Sequence, residues 1–227
     1  MRKVYWWKGV VNFGDTLTHT LLNQLLVKHA WARPADADLI LCGSILEHMP
    51  RDWAGTVMGA GKLHENSAIS LDGAEVLALR GPLSARGIRG DYALGDPGLL
   101  ASRLVPLQPA RYDLGVIPHW SDTELTKRFA YGRVISPMHG AIHVITEIAR
   151  CKRIVSSSLH GIIVADSYGI ERQAEIFSQA SSEGGAFKFV DYAASLGVKP
   201  SFGELISVDR SVVETRQREL ADVLASL

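Results

Sequence analysis

The chain has 227 residues, 47% hydrophobic and 21% charged, an ordinary globular composition with length for one large domain or two small lobes. Lys plus Arg and Asp plus Glu each number 24, so the net charge is zero, and with no surplus of cations the chain is not built to displace counterions from nucleic-acid phosphates. No apolar run approaches the roughly 20 residues that span a bilayer, and Met1–Lys8 is too short in apolar residues for a signal peptide, so a cytoplasmic protein is expected, with peripheral contact at the inner face of the membrane open.

Short strand-like runs alternate with helical ones. Val4–Trp7 reads as a first strand and Asn12-Phe13-Gly14-Asp15 as the loop leaving it. Leu17, Leu21 and Leu25 recur at i+4, which predicts a helix from about Thr16 to Lys28 with Asp15 placed to cap it. Leu39–Cys42, Thr56–Gly59 and Val76–Leu79 read as buried strands, and Pro82 opens a helix to about Arg86. The prolines of Val105–Pro109 mark a link between a lobe of residues 1–105 and another of residues 110–227. Beyond it come a strand at Leu114–Ile117, a helix at Ile142–Arg150 with Ile142, Ile145 and Ile148 on one side, and a strand at Ile154-Val155. A helix at Leu159–Tyr168, a strand at Gln173–Phe177 and helices at Lys188–Leu196 and Val212–Leu224 complete the chain, the last burying Val213, Leu220 and Leu224. Cys42 and Cys151 each sit in an apolar run, which predicts buried, reduced thiols. The fold class expected is α/β, with two Rossmann-like lobes of mostly parallel sheet and ligands beyond the carboxyl ends of the strands.

The residues with chemistry cluster at those strand ends. Asn12, Gly14 and Asp15 follow the first strand, where Asp15 serves either as a cap or as a proton-transfer group. Arg80 follows Val76–Leu79, where its guanidinium is suited either to an anion or to a structural carboxylate such as Asp91 or Asp96. His119 lies just past Leu114–Ile117. Ile154-Val155 delivers Ser156-Ser157-Ser158-Leu159-His160-Gly161 to the start of a helix, where unpaired amides and a partial positive charge hold anions and three hydroxyls add donors. A serine hydrolase is disfavoured, since Gly-x-Ser-x-Gly is absent. The His139/His143 pair lacks the Glu of a zinc-protease motif, so no metal is expected.

Taken in order, these segments resemble the polysaccharide pyruvyl transferase family. The resemblance rests on Asn12-Phe13-Gly14-Asp15, Arg80-Gly81-Pro82, Gly95-Asp96-Pro97, Ile117-Pro118-His119, Ser156-Ser157-Ser158-Leu159-His160-Gly161, and Phe187-Lys188-Phe189-Val190-Asp191-Tyr192. It implies a GT-B-like arrangement of the lobes and transfer of the pyruvyl group of phosphoenolpyruvate onto two hydroxyls of a glycan as a cyclic ketal, in exopolysaccharide or cell-surface glycan synthesis. The acceptor implied is a glycan or lipid-linked oligosaccharide, with no cofactor. His160, His119 and Asp15 are then the candidates for acid and base, with their order open. Arg80, Lys188, Asn12, Gly14, Ser156, Ser157, Ser158 and Gly161 are the candidates for holding the donor. The chain departs from some relatives at Ser158, where they carry a basic residue, so that Arg86 or Arg153 would have to stand in. The alternatives are a nucleotide-sugar glycosyltransferase, with Glu171, Glu175 or Glu183 holding the nucleoside, and a non-catalytic glycan-assembly protein on the same scaffold.

Overall fold

A computed structural model of the chain describes residues 1–122, 132–176 and 185–227. Strands β1 (Arg2–Tyr5), β2 (His29–Trp31), β3 (Leu39–Ile40), β4 (Thr56–Met58), β5 (Glu75–Leu79) and β6 (Ala93–Leu94) form one sheet in the order β2-β1-β3-β4-β5-β6. Strands β7 (Gly115–Ile117), β8 (Arg133–Val134), β9 (Arg153–Ser156) and β10 (Glu171–Ala174) form a second, in the order β10-β9-β7-β8. Every named pairing is parallel. Parallel neighbours need crossover connections, and short strands buried on both faces read as continuous apolar runs such as Leu39–Cys42. Within each sheet the first strand has the second on one side and the third on the other, so the two sheets are wound alike. The reversal point falls between β1 and β3 in one sheet and between β7 and β9 in the other. Ligands of open parallel sheets bind outside the carboxyl ends of the strands at such points.

The helices are α1 (Phe13–Gln24), α2 (Ala101–Leu104), α3 (Ala141–Ile148), α4 (Leu159–Tyr168), α5 (Phe187–Ser195) and α6 (Arg210–Leu224). Helix α4 is buried along its whole length, and it is apolar on every side except at His160, Asp166, Ser167 and Tyr168. It packs on β9 and β10, on α1 and α3, and on the turn at Pro97–Leu100, which makes it the axis of the molecule. Val4, Leu17 and Leu39 of the first sheet region and Ile117, Ile154 and Ile163 of the second join one apolar cluster. Helix α6 crosses back to β5, β6 and the Pro97–Leu100 turn, with Val213, Leu220 and Leu224 buried as its periodicity predicts.

An ion pair also ties the two regions. Arg80, at the end of β5, is completely buried, and its Nε donates to Asp191 Oδ2 of α5 at 2.9 Å. The other oxygen of Asp191 accepts the amides of Leu83 and Ser84, both at 2.9 Å. Removing one partner of a buried pair leaves an uncompensated charge. Asp191→Ala is therefore expected to cost about 3–5 kcal/mol in a urea unfolding experiment, with much of it recovered in the apolar double variant Arg80→Met/Asp191→Leu. A loss below about 1 kcal/mol for the single variant would contradict that reading.

Several sequence expectations change. Helix α1 begins at Phe13 and is capped by Asn12, whose Oδ1 accepts from Gly14 N at 3.0 Å, so Asp15 lies inside the first turn and is not the cap. Residues 82–87 form turns rather than a helix, and the amides of Leu83 and Ser84 within them are held by the carboxylate of Asp191. Strand β2 carries the mixed sequence His29-Ala30-Trp31, without an apolar run to announce it. Ile142 is exposed, and α3 buries Ala141 and Val144 beside Ile145 and Ile148. Strand β10 runs from Glu171 to Ala174, and Phe177, expected to end it, lies outside the described residues, as does Glu183. Cys42 and Cys151 are buried and free.

Candidate functional site

The carboxyl ends of both sheets face one cavity of about 230 Å³. Its wall takes Asn12 and Asp15 from the start of α1, Ser158, Leu159 and His160 from the start of α4, and Lys188 from the first turn of α5. Three helix N-termini therefore meet there, each bringing amides and a partial positive charge. The volume lies below the usual range for drug-sized ligands, so it suits a small ligand. Among the described residues lining it, Lys188 is the one permanent cation.

Asp15 and His160 share the floor. Asp15 is 8% exposed, and burial pushes its carboxyl up to about 7, with Lys188 pulling down and Asp96 pushing up. The His160 ring lies edge-on to Phe13 and directly over Gly14, where a Cβ would overlap the imidazole. Its Nε2 is buried without a hydrogen bond and faces Asp96 Oδ2 at 3.7 Å, itself unpaired. Nδ1 is the ring atom that lies nearest Gly14. Burial lowers the pKa of His160, against Asp96, which raises it; Arg80 and Lys188 lower it further. The ring is thus a neutral base at pH 7. Gly14→Ala keeps an allowed helical backbone while pushing His160 out of place. It is expected to reduce turnover by about 100-fold with little change in unfolding midpoint; wild-type rates would remove His160 from the reaction.

The three serines divide their work. Ser156 is fully buried: the single proton of its Oγ is shared between Ile117 O at 2.9 Å and Ser158 O at 2.8 Å, and the oxygen accepts from Ser158 N at 3.0 Å. Gly161 packs against that hydroxyl so closely that a Cβ would overlap it. Ser157 Oγ accepts from His119 N at 2.7 Å and donates to Asp122 Oδ2 at 3.2 Å. Of the run, Ser158 alone lines the cavity, as the residue capping α4 in extended conformation. Ser156, Ser157 and Gly161 therefore shape the turn, and His119 is held by it. His119 Nδ1 pairs with Ser121 Oγ at 2.8 Å, which leaves Nε2 for a ligand. Burial lowers the His119 pKa to about 4, helped by Lys188 and opposed by Asp122.

Arg80 does not reach the cavity. Beyond Asp191 its Nη1 donates to Ser44 Oγ and its Nη2 to Lys62 O, both at 2.6 Å, so its partner is Asp191 rather than Asp91 or Asp96. It touches the site through Ser44, which lines the wall just past β3. Arg86 is exposed and paired with Glu65 at 3.1 Å, and Arg153 is exposed on β9, so neither replaces the basic residue missing at Ser158. Glu171 is exposed, Glu175 accepts from Gln173, and neither lines the cavity. His139 and His143 are exposed with rings 5.0 Å apart, and neither lines it either. No cluster of three or more His, Cys, Asp or Glu suited to a metal ion occurs among the described residues. The sequence did not single out Ser44, His48, Trp7 or Trp120, and it did not place Asp96 behind His160. Trp7 and Trp120 follow strand ends, the one signal that could have marked them, whereas His48 closes a short turn eight residues past β3.

The chain is similar in sequence to known proteins. The family model of polysaccharide pyruvyl transferases matches residues 7–171, most of the chain. The succinoglycan biosynthesis protein ExoV of Rhizobium meliloti (strain 1021) is 29% identical over 212 residues, 87% of this chain. An uncharacterized protein of Acanthamoeba polyphaga mimivirus is 30% identical over 116 residues, 47% of this chain. The chain spans 66% of the length of the first and 40% of the second. No solved structure matches the chain significantly.

Proposed function

Because the chain belongs to the polysaccharide pyruvyl transferase family, we propose that it moves the pyruvyl group of phosphoenolpyruvate onto two hydroxyls of a glycan as a cyclic ketal, in exopolysaccharide or cell-surface glycan synthesis. The observation that carries this reading is a buried carboxyl with a pKa of about 7 beside a neutral histidine, under a lysine and three helix ends. Phosphoenolpyruvate brings a phosphate and a carboxylate, which Lys188, Ser158 and the amides starting α4 would hold. Asn12 and Gly14 set the first turn of α1. Arg80 acts at one remove, by fixing Ser44 and the α5 helix that carries Lys188.

The residues divide the proton transfers. Protonated Asp15 gives its proton to the methylene carbon, which becomes a methyl group and leaves the adjacent carbon electrophilic. A sugar hydroxyl adds there, and its proton passes to a neutral histidine, His160 or His119. The C–O bond to phosphate breaks, the departing phosphate takes that proton, and the second hydroxyl closes the ring while returning a proton to Asp15. Two hydroxyl protons thus end on the methyl carbon and on inorganic phosphate, and the balance closes. No cofactor or metal enters this scheme. A carboxyl near neutrality and bases of lower pKa form a pair with separated roles.

The same reading takes residues 1–105 and 110–227 as GT-B-like lobes around the cleft. It places the reaction in the cytoplasm, with a lipid-linked acceptor reached from the inner membrane face; no helix among the described residues is long and apolar enough to cross a membrane. The test is incubation with phosphoenolpyruvate and a panel of glycans, following phosphate release and the added pyruvyl mass. Release of phosphate with a pyruvylated product supports the proposal. No turnover, together with tight binding of a nucleotide sugar, overturns it in favour of a glycosyltransferase.

A further inference from the structure

Two tryptophans border the cavity, and we propose that Trp7 and Trp120 form a stacking platform for a pyranose ring of the acceptor; this rests on the pyruvyl transfer proposed above. Trp7 follows β1 and Trp120 follows β7, so each stands beyond the carboxyl end of the first strand of its sheet. Their ring centroids are 6.2 Å apart with planes tilted by 33°. The Trp120 ring in turn lies 5.3 Å from that of His119. Both tryptophans are half-buried, which leaves ring surface open to the cavity.

Two of the other indoles are tied to the backbone, whereas that of Trp6, like those of Trp7 and Trp120, makes no hydrogen bond among the described residues. Trp31 and Trp53 donate their ring N–H to backbone carbonyls, of Trp6 at 3.0 Å and of Ala37 at 2.7 Å. The ring N–H groups of Trp7 and Trp120 make no hydrogen bond among the described residues, so they remain donors for a ligand. The Trp7 indole packs against Gly9, where a Cβ would overlap it, and against Trp120. A pyranose presents a face of C–H groups and a rim of hydroxyls. Rigid indoles match both, offering an apolar face at little entropic cost and a polar edge.

The placement also explains the reach of the site. The Lys188 charge acts on Asp15, His160 and His119, which marks the donor end. His119 belongs to that group and is also in ring contact with Trp120, so it stands where the two ends meet. A sugar lying on the tryptophans presents its hydroxyls to His119 Nε2, the nitrogen not used by Ser121.

Saturation-transfer NMR with the methyl glycosides of glucose, galactose and mannose, without phosphoenolpyruvate, tests the platform. Wild type is expected to saturate the ring C–H protons of at least one glycoside. Trp7→Ala and Trp120→Ala should weaken that binding by about 10-fold, while Trp7→Phe and Trp120→Phe keep most of it. In turnover the acceptor KM should rise by about the same factor, with the phosphoenolpyruvate KM unchanged, and circular dichroism should show both variants folded. No glycoside binding by wild type, or equal binding by the folded alanine variants, overturns the platform. Glycoside binding through the tryptophans in a protein that never consumes phosphoenolpyruvate would keep the platform and sink pyruvyl transfer, so the two failures are distinguishable.

Discussion

Asp15→Asn is expected to lower turnover by about three orders of magnitude, the range that a positioned general acid contributes, and at the same time to stabilise the protein above neutral pH. The amide fills the same space and keeps the geometry of α1, but it cannot deliver a proton. The stability effect follows from linkage. The carboxyl ionises near 3.8 when unfolded and at about 7 when folded. Between those values the folded protein holds a proton that the unfolded chain has released, so stability falls as pH rises through that window. Three pKa units set an upper bound of about 4 kcal/mol on that cost. The variant avoids it, so its advantage in Tm should be absent near pH 3, grow from pH 4 to pH 7 and then level off. For the wild type, kcat/KM should hold below pH 7 and decline above it as Asp15 loses its proton. An active Asp15→Asn enzyme, or a profile flat through pH 7 to 9, would sink the assignment of Asp15 as acid.

Lys188→Met is the second large effect. The side chain is buried, at 7% exposed, in the first turn of α5 and reaches the cavity. An ammonium bound to phosphate or carboxylate in a closed site is a charge-assisted contact; its loss is expected to raise the phosphoenolpyruvate KM by about 100-fold. Methionine conserves the length and packing, which limits structural damage. A pH readout separates a charge effect from mere disruption. Lys188 holds down both Asp15 and His119, so without it the alkaline limb of the profile should move above pH 7 and the His119 pKa should climb from about 4. A fold-intact variant with the wild-type KM and the wild-type limb would show that the donor anion sits elsewhere.

Much of the layout was legible because it depends on local pattern. The apolar runs located β3, β4, β5, β7 and β9, and the leucine spacing located α1 and the buried face of α6. Strand β2 escaped because His29-Ala30-Trp31 lies at the edge of its sheet and carries no apolar alternation. Asn12 and Asp15 are both good caps by type, and only the backbone shows which residue precedes the helix. The serine run could announce a helix start, yet it could not say that Ser156 is used by Ile117 and Ser158, or that Ser157 holds His119. Asp191 pairs with Arg80 across 111 positions of chain, and nothing near Arg80 favours it over Asp91 or Asp96. His160 and Lys188 were found through their motifs. Asp96, behind His160, reads as an ordinary turn residue, and its free oxygen becomes visible only when the ring lies against it.

The return of α6 to the first sheet has a consequence for synthesis. Residues 210–224 cover β5, β6 and the turn after β6, which leave the ribosome more than a hundred residues earlier. At about 5–20 residues per second the nascent chain carries that apolar face uncovered for several seconds or more. Chains halted before α6 should be the species that aggregate and recruit chaperones, and the emergence of α6 the event that ends that exposure.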